Sequence, residues 1–355
     1  MDISPIYMNS NLPEIVSLDK YYNNKPQLPD ELIQGILRCG HKMLIAGPSK
    51  AGKSFLLIEL AICIANGLSW LGHACKQGRV LYVNLEIDSN SCINRFIDIA
   101  NAMQRTFGTT IQTNNIDLWN LRGHAMPLDL LVPILVSRVK ETYYDVIIVD
   151  PIYKVITGDE NNASEMGRFC NLFDKICGET GAATIYCHHH SKGAQGSKRA
   201  ADRASGSGVF SRDPDAQLDM IQLALPADAL EAVDSPAMTG WRIEGTLREF
   251  APLTPINIWY NWPLHYLDTS GHLNHAHAIG STPDNLSKSP KRTDLDKQLK
   301  LMDDVILQLS KINYPVMLRD VATGMNVTDK TVRSYIQKSN NRYWCKNGLI
   351  GLCSR

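Results

Sequence analysis

From Lys42 onward the chain alternates short apolar runs, the length of buried strands, with longer stretches of helical period. MLIAG (43–47), VLYVNLE (80–86), IDLWNL (116–121), VIIVD (146–150) and AATIYC (182–187) are the strand candidates. Between them FLLIELAICIA (55–65), LDLLVPILVSRVKE (128–141) and MGRFCNLFDKIC (166–177) predict helices. Strands that are apolar on both sides belong to a mainly parallel sheet covered by helices on both faces, the α/β class. After about Asp215 the rhythm changes. AQLDMIQLAL, GWRIEGTLREF and INIWYNW show strand-like alternation with no long helix between them, which predicts antiparallel strands extending one edge of the sheet.

The ends of the chain read differently. Residues 1–29 form a lead-in rich in Asn, Pro and Tyr, residues 30–267 the α/β core, and residues 268–294 a polar linker punctuated by Gly, Pro and Ser. The linker's His272, His275 and His277 have no acidic or thiol partner near in sequence, which argues against a metal site there. Residues 295–355 read as helix, helix, turn, helix and hairpin, the plan of a winged helix-turn-helix. Thr328 is a suitable amino-terminal cap for TDKTVRSYIQKS, and Asn347-Gly348 between apolar residues is a two-residue hairpin signal. On that plan Lys330, Arg333 and Lys338 lie on the second helix of the motif, with Arg342 and Lys346 near the hairpin.

Charge sharpens this division. The 355 residues carry 36 Lys and Arg against 36 Asp and Glu, but from Ser287 to the end there are 13 basic residues against 6 acidic ones. Duplex DNA or a replication partner is therefore expected at the carboxyl-terminal module, the alternative being a solvated basic face or a protein-docking module. With 44% hydrophobic and 20% charged residues, no run of eighteen apolar residues and no basic-then-apolar leader, the chain predicts a globular cytoplasmic protein without membrane contact. The 9 cysteines are odd in number and include no CxxC pair, so a disulfide framework is not expected.

The chemistry starts at Gly47-Pro48-Ser49-Lys50-Ala51-Gly52-Lys53-Ser54, which matches G-x-x-x-x-G-K-[ST] after a strand and before a helix. Backbone N–H groups of such a loop, with the following residue Phe55 opening the helix, converge on phosphate oxygens. Lys53 then reaches the β- and γ-phosphates of ATP, and the Ser54 hydroxyl ligates Mg2+. Asp150, at the end of an apolar strand, is placed to hold a water bound to the magnesium. Hydrolysis also needs a group that orients or deprotonates water. The residue after Asp150 is Pro151, not an acid; by resemblance to proteins that place this carboxylate on the strand after the P-loop helix, the candidate is Glu86 at the end of VLYVNLE, preferred over Asp88 for its position at the strand's carboxyl edge.

With these elements, VIIVDP, HHHSKG, RASGSGVFSRDPDAQL and LREF in hand, the chain resembles the RecA-like ATPase superfamily, and within it the RepA-type hexameric replicative helicases of plasmids and phages. It is similar, more distantly, to DnaB-type helicases. The resemblance covers roughly residues 30–265. It implies that His189 of YCHHHSKG senses the γ-phosphate, with His188 packing or assisting. The loop 193–204 would then face a central channel, and Lys192, Lys198 and Arg199 would supply charge for a single strand of DNA. Zinc bound by Cys187 and the three histidines is a poor alternative, because adjacent residues on a strand point to opposite faces. The resemblance further implies a homo-oligomer, a hexamer as in that family, whose site is completed by a neighbour's Arg203 or Arg248, with Arg242 a weaker third. Two rivals stay open: a nucleotide-switched DNA-binding regulator or recombination mediator that does not unwind, and a small-molecule kinase, against which the HHHSKG and RASGSG motifs speak.

Overall fold

A computed structural model describes residues 14–156, 158–160, 162–190, 208–225, 237–279, 292–311, 315–325, 327–339, 342–346 and 348–352. The chain divides into two compact units, Met1–Ser281 and Thr282–Arg355.

The first unit is built on a ten-stranded sheet. Its strands are β1 (Lys42–Gly47), β2 (Val80–Asn84), β3 (Ile116–Asn120), β4 (Val146–Asp150), β5 (Ala183–His189), β6 (Ala216–Ala224), β7 (Thr239–Leu247), β8 (Ile256–Asn261), β9 (Leu264–Leu267) and the short β10 (His277–Ala278). The order is β9-β8-β7-β6-β1-β5-β4-β2-β3, with β10 paired to the end of β6. Strands β6, β1, β5, β4, β2 and β3 run parallel, whereas β7, β8 and β9 are antiparallel and extend the β6 edge. Residues 268–279, expected to open the linker, pack on this edge instead: Leu273 is fully buried and β10 continues the sheet. Residues 280–291 of that segment lie outside the described residues.

Period-two alternation inside the buried strands sends neighbouring residues to two separate cores. Met43, Ile45, Tyr82, Ile148 and Cys187 pack on one face beneath α1 (Lys53–Asn66) and α2 (Ser89–Phe107). Leu44, Ala46, Val83, Ile147 and Tyr186 pack on the other beneath α3 (Leu128–Glu141), α4 (Ala163–Thr180) and α5 (Gly208–Arg212). Because both faces are covered, the strands read as continuous apolar runs. The core is thus a mainly parallel sheet between two helical layers with an antiparallel extension, the α/β architecture expected from the sequence. Among the described residues no helix is long and apolar enough to cross a membrane.

The second unit holds α6 (Arg292–Ser310), β11 (Val316–Met317), α7 (Leu318–Gly324), α8 (Asp329–Lys338), β12 (Tyr343–Lys346) and β13 (Leu349–Leu352). The three strands form an antiparallel sheet in the order β11-β13-β12 around a core that includes Met302, Val321, Val332 and Ile350. The Thr328 hydroxyl accepts from the Thr331 N–H and so caps α8, as its sequence position predicts. Asn347 of the hairpin signal lies outside the described residues, and Gly348 beside it has a left-handed φ of 77°.

Candidate active site

The site lies at the carboxyl ends of the parallel strands, where open α/β sheets bind ligands. Strand β1 runs straight into the loop 48–52. A side chain at Gly47 would bring its Cβ to 3.1 Å from the Met220 Cβ and 3.3 Å from the Lys53 Cδ, so any larger residue there would have to push its neighbours aside. Gly52 turns the chain into α1 with φ +81°. No side chain caps α1, whereas α2 is capped by Asp88, which accepts from the N–H groups of Asn90 and Ser91. The first-turn N–H groups of α1 therefore keep their demand for an acceptor, and the partial positive charge of the helix terminus adds to it.

A cavity of about 540 Å³ opens over this terminus. It brings together Ser49, Lys50, Ala51, Gly52, Lys53, Ser54 and Phe55 of the loop and helix with Glu86, Asp150 and His189. Gly47 and Pro48 stand at its back, where their carbonyls accept from Lys53 Nζ at 3.0 and 2.7 Å. Lys53 is buried without an ion-pair partner among the described residues, and burial pulls its ammonium below the ordinary lysine range against the pull of Cys187, Asp150 and Glu86.

Asp150 is held from two sides. Tyr82 Oη donates to Oδ2 at 2.6 Å and the Cys187 thiol donates to Oδ1 at 2.8 Å. Both donors are fully buried, and burial, then the carboxylate, pushes each well above its ordinary range, so each stays protonated. Each carboxylate oxygen keeps a second lone pair for a further donor.

Glu86 sits two residues past the end of β2, not on the strand as its sequence position predicts. The Asn84 amide oxygen accepts from the N–H groups of Glu86 and Ile87 at 3.3 and 3.0 Å, which turns the chain out of the sheet. The exposed Glu86 carboxylate accepts from Tyr153 Oη at 2.8 Å. Burial and this bond push the Tyr153 phenol up to about 12. Asp88, the alternative to Glu86, is committed to capping α2.

The three histidines separate as strand alternation requires. His189 faces the cavity, its Nδ1 3.3 Å from Lys53 Nζ and its ring 5.3 Å from that of Tyr153. Burial, with Lys53 and His188 adding to it, lowers its pKa, so the ring is neutral at pH 7. Facing an ammonium, Nδ1 can only accept, which leaves the proton on Nε2. His188 turns to the opposite core against Phe210 and lies 3.5 Å from Glu160, and His190 Nε2 lies 3.1 Å from Asp219 Oδ1. Cys187 and the histidines thus reach different groups. Among the described residues no cluster of three or more His, Cys, Asp or Glu is arranged to hold a metal ion.

Arg248 and Arg242, two of the three arginines expected to act between copies, do not line this cavity. Arg248 follows β7 at the opposite end of the parallel strands, where Nη1 bonds Asp215 at 2.8 Å and Nη2 bonds the carbonyls of Arg212 and Asp213. Arg242 bonds Asn257 and the carbonyls of Leu273 and Ala276. Arg203, with Lys192, Lys198, Arg199 and the rest of the loop 193–204, lies outside the described residues.

Sequence reasoning missed Arg95, Arg122 and Tyr260, which also line the cavity. The Arg95 guanidinium lies 4.8 Å over the Phe55 ring, and the Tyr260 ring is 5.8 Å from Phe55, which makes one wall aromatic. Tyr260 rests on His265, whose Nδ1 bonds the buried Glu59 of α1 at 2.8 Å. Only Arg95 had a local signal, a basic residue nearly two turns inside α2; the others are brought in by register and long-range packing.

A phosphate-binding loop and a buried strand-end carboxylate at the mouth of this mainly parallel sheet define a P-loop ATPase. A family model described as an AAA domain matches residues 9–195, more than half of the chain, and the chain belongs to that family. Among solved structures it is similar to a KaiC-like protein of the hyperthermophilic archaeon Pyrococcus horikoshii, at 12% identity and a TM-score of 0.44 over 66% of this chain and 93% of that one. It is also similar to the ATPase domain of G40P, at 13% identity and a TM-score of 0.44 over 68% and 92%. No curated protein matches the sequence.

Proposed function

We propose that the chain is an ATP-driven motor of the replicative-helicase type, which assembles as a ring and moves single-stranded DNA through its centre. The observation that carries the nucleotide chemistry is the meeting of Lys53, Glu86, Asp150 and His189 in one cavity over an uncapped helix terminus. In this reading the loop N–H groups bind the phosphates of ATP and Lys53 moves from its own carbonyls to the β- and γ-oxygens. Glu86, steadied by Tyr153, takes the proton of the attacking water. The neutral His189 offers its Nε2 proton to the γ-phosphate. Ser54 and Asp150 suit Mg2+, which is held mainly by phosphates and waters and needs few protein oxygens. When bound, the ion neutralises charge on the phosphates.

The DNA and ring assignments rest on the RepA-like succession of motifs, in which the strand bearing His189 leads into a channel loop. Arg203 or Arg248 of the adjacent copy then completes the site. The second unit supports nucleic-acid contact: Lys330, Arg333 and Lys338 of α8 are exposed, as expected of the second helix of a winged helix-turn-helix. The test is ATP hydrolysis with and without single-stranded DNA, alongside sedimentation with nucleotide. Stimulation by DNA in an oligomer supports the motor. A monomer with the same turnover in both conditions refutes it, and DNA binding without strand displacement selects the nucleotide-switched regulator.

A further inference from the structure

The cavity contains a cation that the motif reading did not use. Arg122 follows β3 and is exposed, and among the described residues it makes no ion pair. Of the other positive groups there, Lys53 lies on its own loop carbonyls, Arg95 lies on the Phe55 ring, and Lys50 is an exposed residue within the phosphate loop itself.

The loop bearing Arg122 is tied to the loop bearing Glu86 by one side chain. Asn84 is fully buried at the end of β2, beside β3. Its Nδ2 donates to the Ile87 carbonyl at 2.7 Å and to Asn120 Oδ1 at 2.8 Å, while its Oδ1 accepts from the N–H groups of Glu86 and Ile87. The Leu121 N–H donates to the Asn84 carbonyl at 2.8 Å. A side-chain amide has two donors and one oxygen with two lone pairs, and all of them are in use. All of these side-chain bonds go to the turn 86–87 and to Asn120, so the amide joins the two loops.

We propose that Arg122 is a catalytic cation acting on the γ-phosphate of ATP bound by its own chain, and that Asn84 is the positioning residue that keeps Arg122 and Glu86 on the same side of the cavity. This rests on reading the cavity as an ATP site. In the step, the water oxygen bonds to the γ-phosphorus as the bond from that phosphorus to the β,γ-bridging oxygen breaks. The water proton passes to Glu86 and the electron pair stays on the departing ADP. Negative charge grows on the bridging and γ-oxygens, and a guanidinium beside them stabilises it more than it stabilises bound ATP.

The test compares Arg122→Ala, Arg122→Lys and Asn84→Ala with the wild-type chain, using steady-state hydrolysis, fluorescent-nucleotide binding and thermal unfolding. Arg122→Ala is expected to lower kcat about 10²-fold with nucleotide Kd within about threefold, and Arg122→Lys to recover part of the loss. Asn84→Ala is expected to lower kcat more than it changes KM. Its melting curve reports whether it folds, and the exposed Arg122 variants decide the matter if it does not. Mixing Arg122→Ala with Lys53→Ala chains separates action within a chain from action between chains. No recovery is expected, whereas recovered turnover would mean that Arg122 serves a neighbour and would overturn the assignment. Unchanged kcat in Arg122→Ala overturns it as well. If the wild-type chain neither binds nor hydrolyses ATP, the reading of the cavity falls first, which is a different result.

Discussion

Two lysines flank the same strand. Lys42 opens β1 and Lys53 follows the loop at its other end, and both are buried. Around Lys42 the chain supplies full compensation: Nζ lies 2.5 Å from Asp174 and 2.6 Å from Asp213, and its backbone N–H bonds Asp215. Burial alone would pull its pKa down, but the hydrogen bonds of the two carboxylates raise it above the ordinary value. Around Lys53 there are carbonyls and a neutral imidazole but no bonded carboxylate among the described residues, and the shift goes the other way. The first lysine holds the fold together, and the second is kept short of negative charge, as a site for a polyphosphate must be.

The comparison is tested most strongly at Lys53. Lys53→Ala is expected to lower ATP hydrolysis about 10³-fold without lowering the melting temperature, since an uncompensated buried cation is removed. Loss of folding instead would place the two lysines in the same class. Next, Glu86→Gln should lower kcat about 10²-fold while fluorescent-nucleotide titration finds binding intact.

Lys42→Met should leave hydrolysis within a fewfold and cost about 2 kcal/mol in urea unfolding, less than a fully buried pair because Asp174 is 56% exposed. The sign with pH follows from the raised pKa. The contribution of Lys42 is fully present below the ordinary lysine value of 10.5 and is lost as pH rises through the higher folded value. The stability gap between wild type and Lys42→Met should therefore narrow above pH 10.5. A gap that widens there contradicts the pairing. The smallest effect is expected at Arg248, whose side chain is 53% exposed: Arg248→Ala should cost under about 1 kcal/mol. A thousandfold loss of hydrolysis with that small cost would identify it as the residue acting between copies.

Much of this was legible along the chain. The loop 47–54 carries its own spacing, and the apolar runs that became β1, β4 and β5 are short enough to be strands and too apolar to be edges. The exit from β2 was not legible in detail, because Asn84 bends the chain through side-chain bonds to Glu86 and Ile87 and moves Glu86 off the strand. Register is less visible still. Pairing of Ala216 with Leu247 sends Arg248 to the far end of β1, and pairing of β8 with β9 brings Tyr260 and His265 against the phosphate loop. No local pattern encodes either, since each follows from which strands become neighbours.

Strand β5 carries one further consequence. His189 looks toward the nucleotide side, while His188 and His190 look through to Phe210 and Asp219 on the reverse. The three share one length of peptide. One stretch of backbone thus joins the cavity on one face of the sheet to buried polar and aromatic partners on the other.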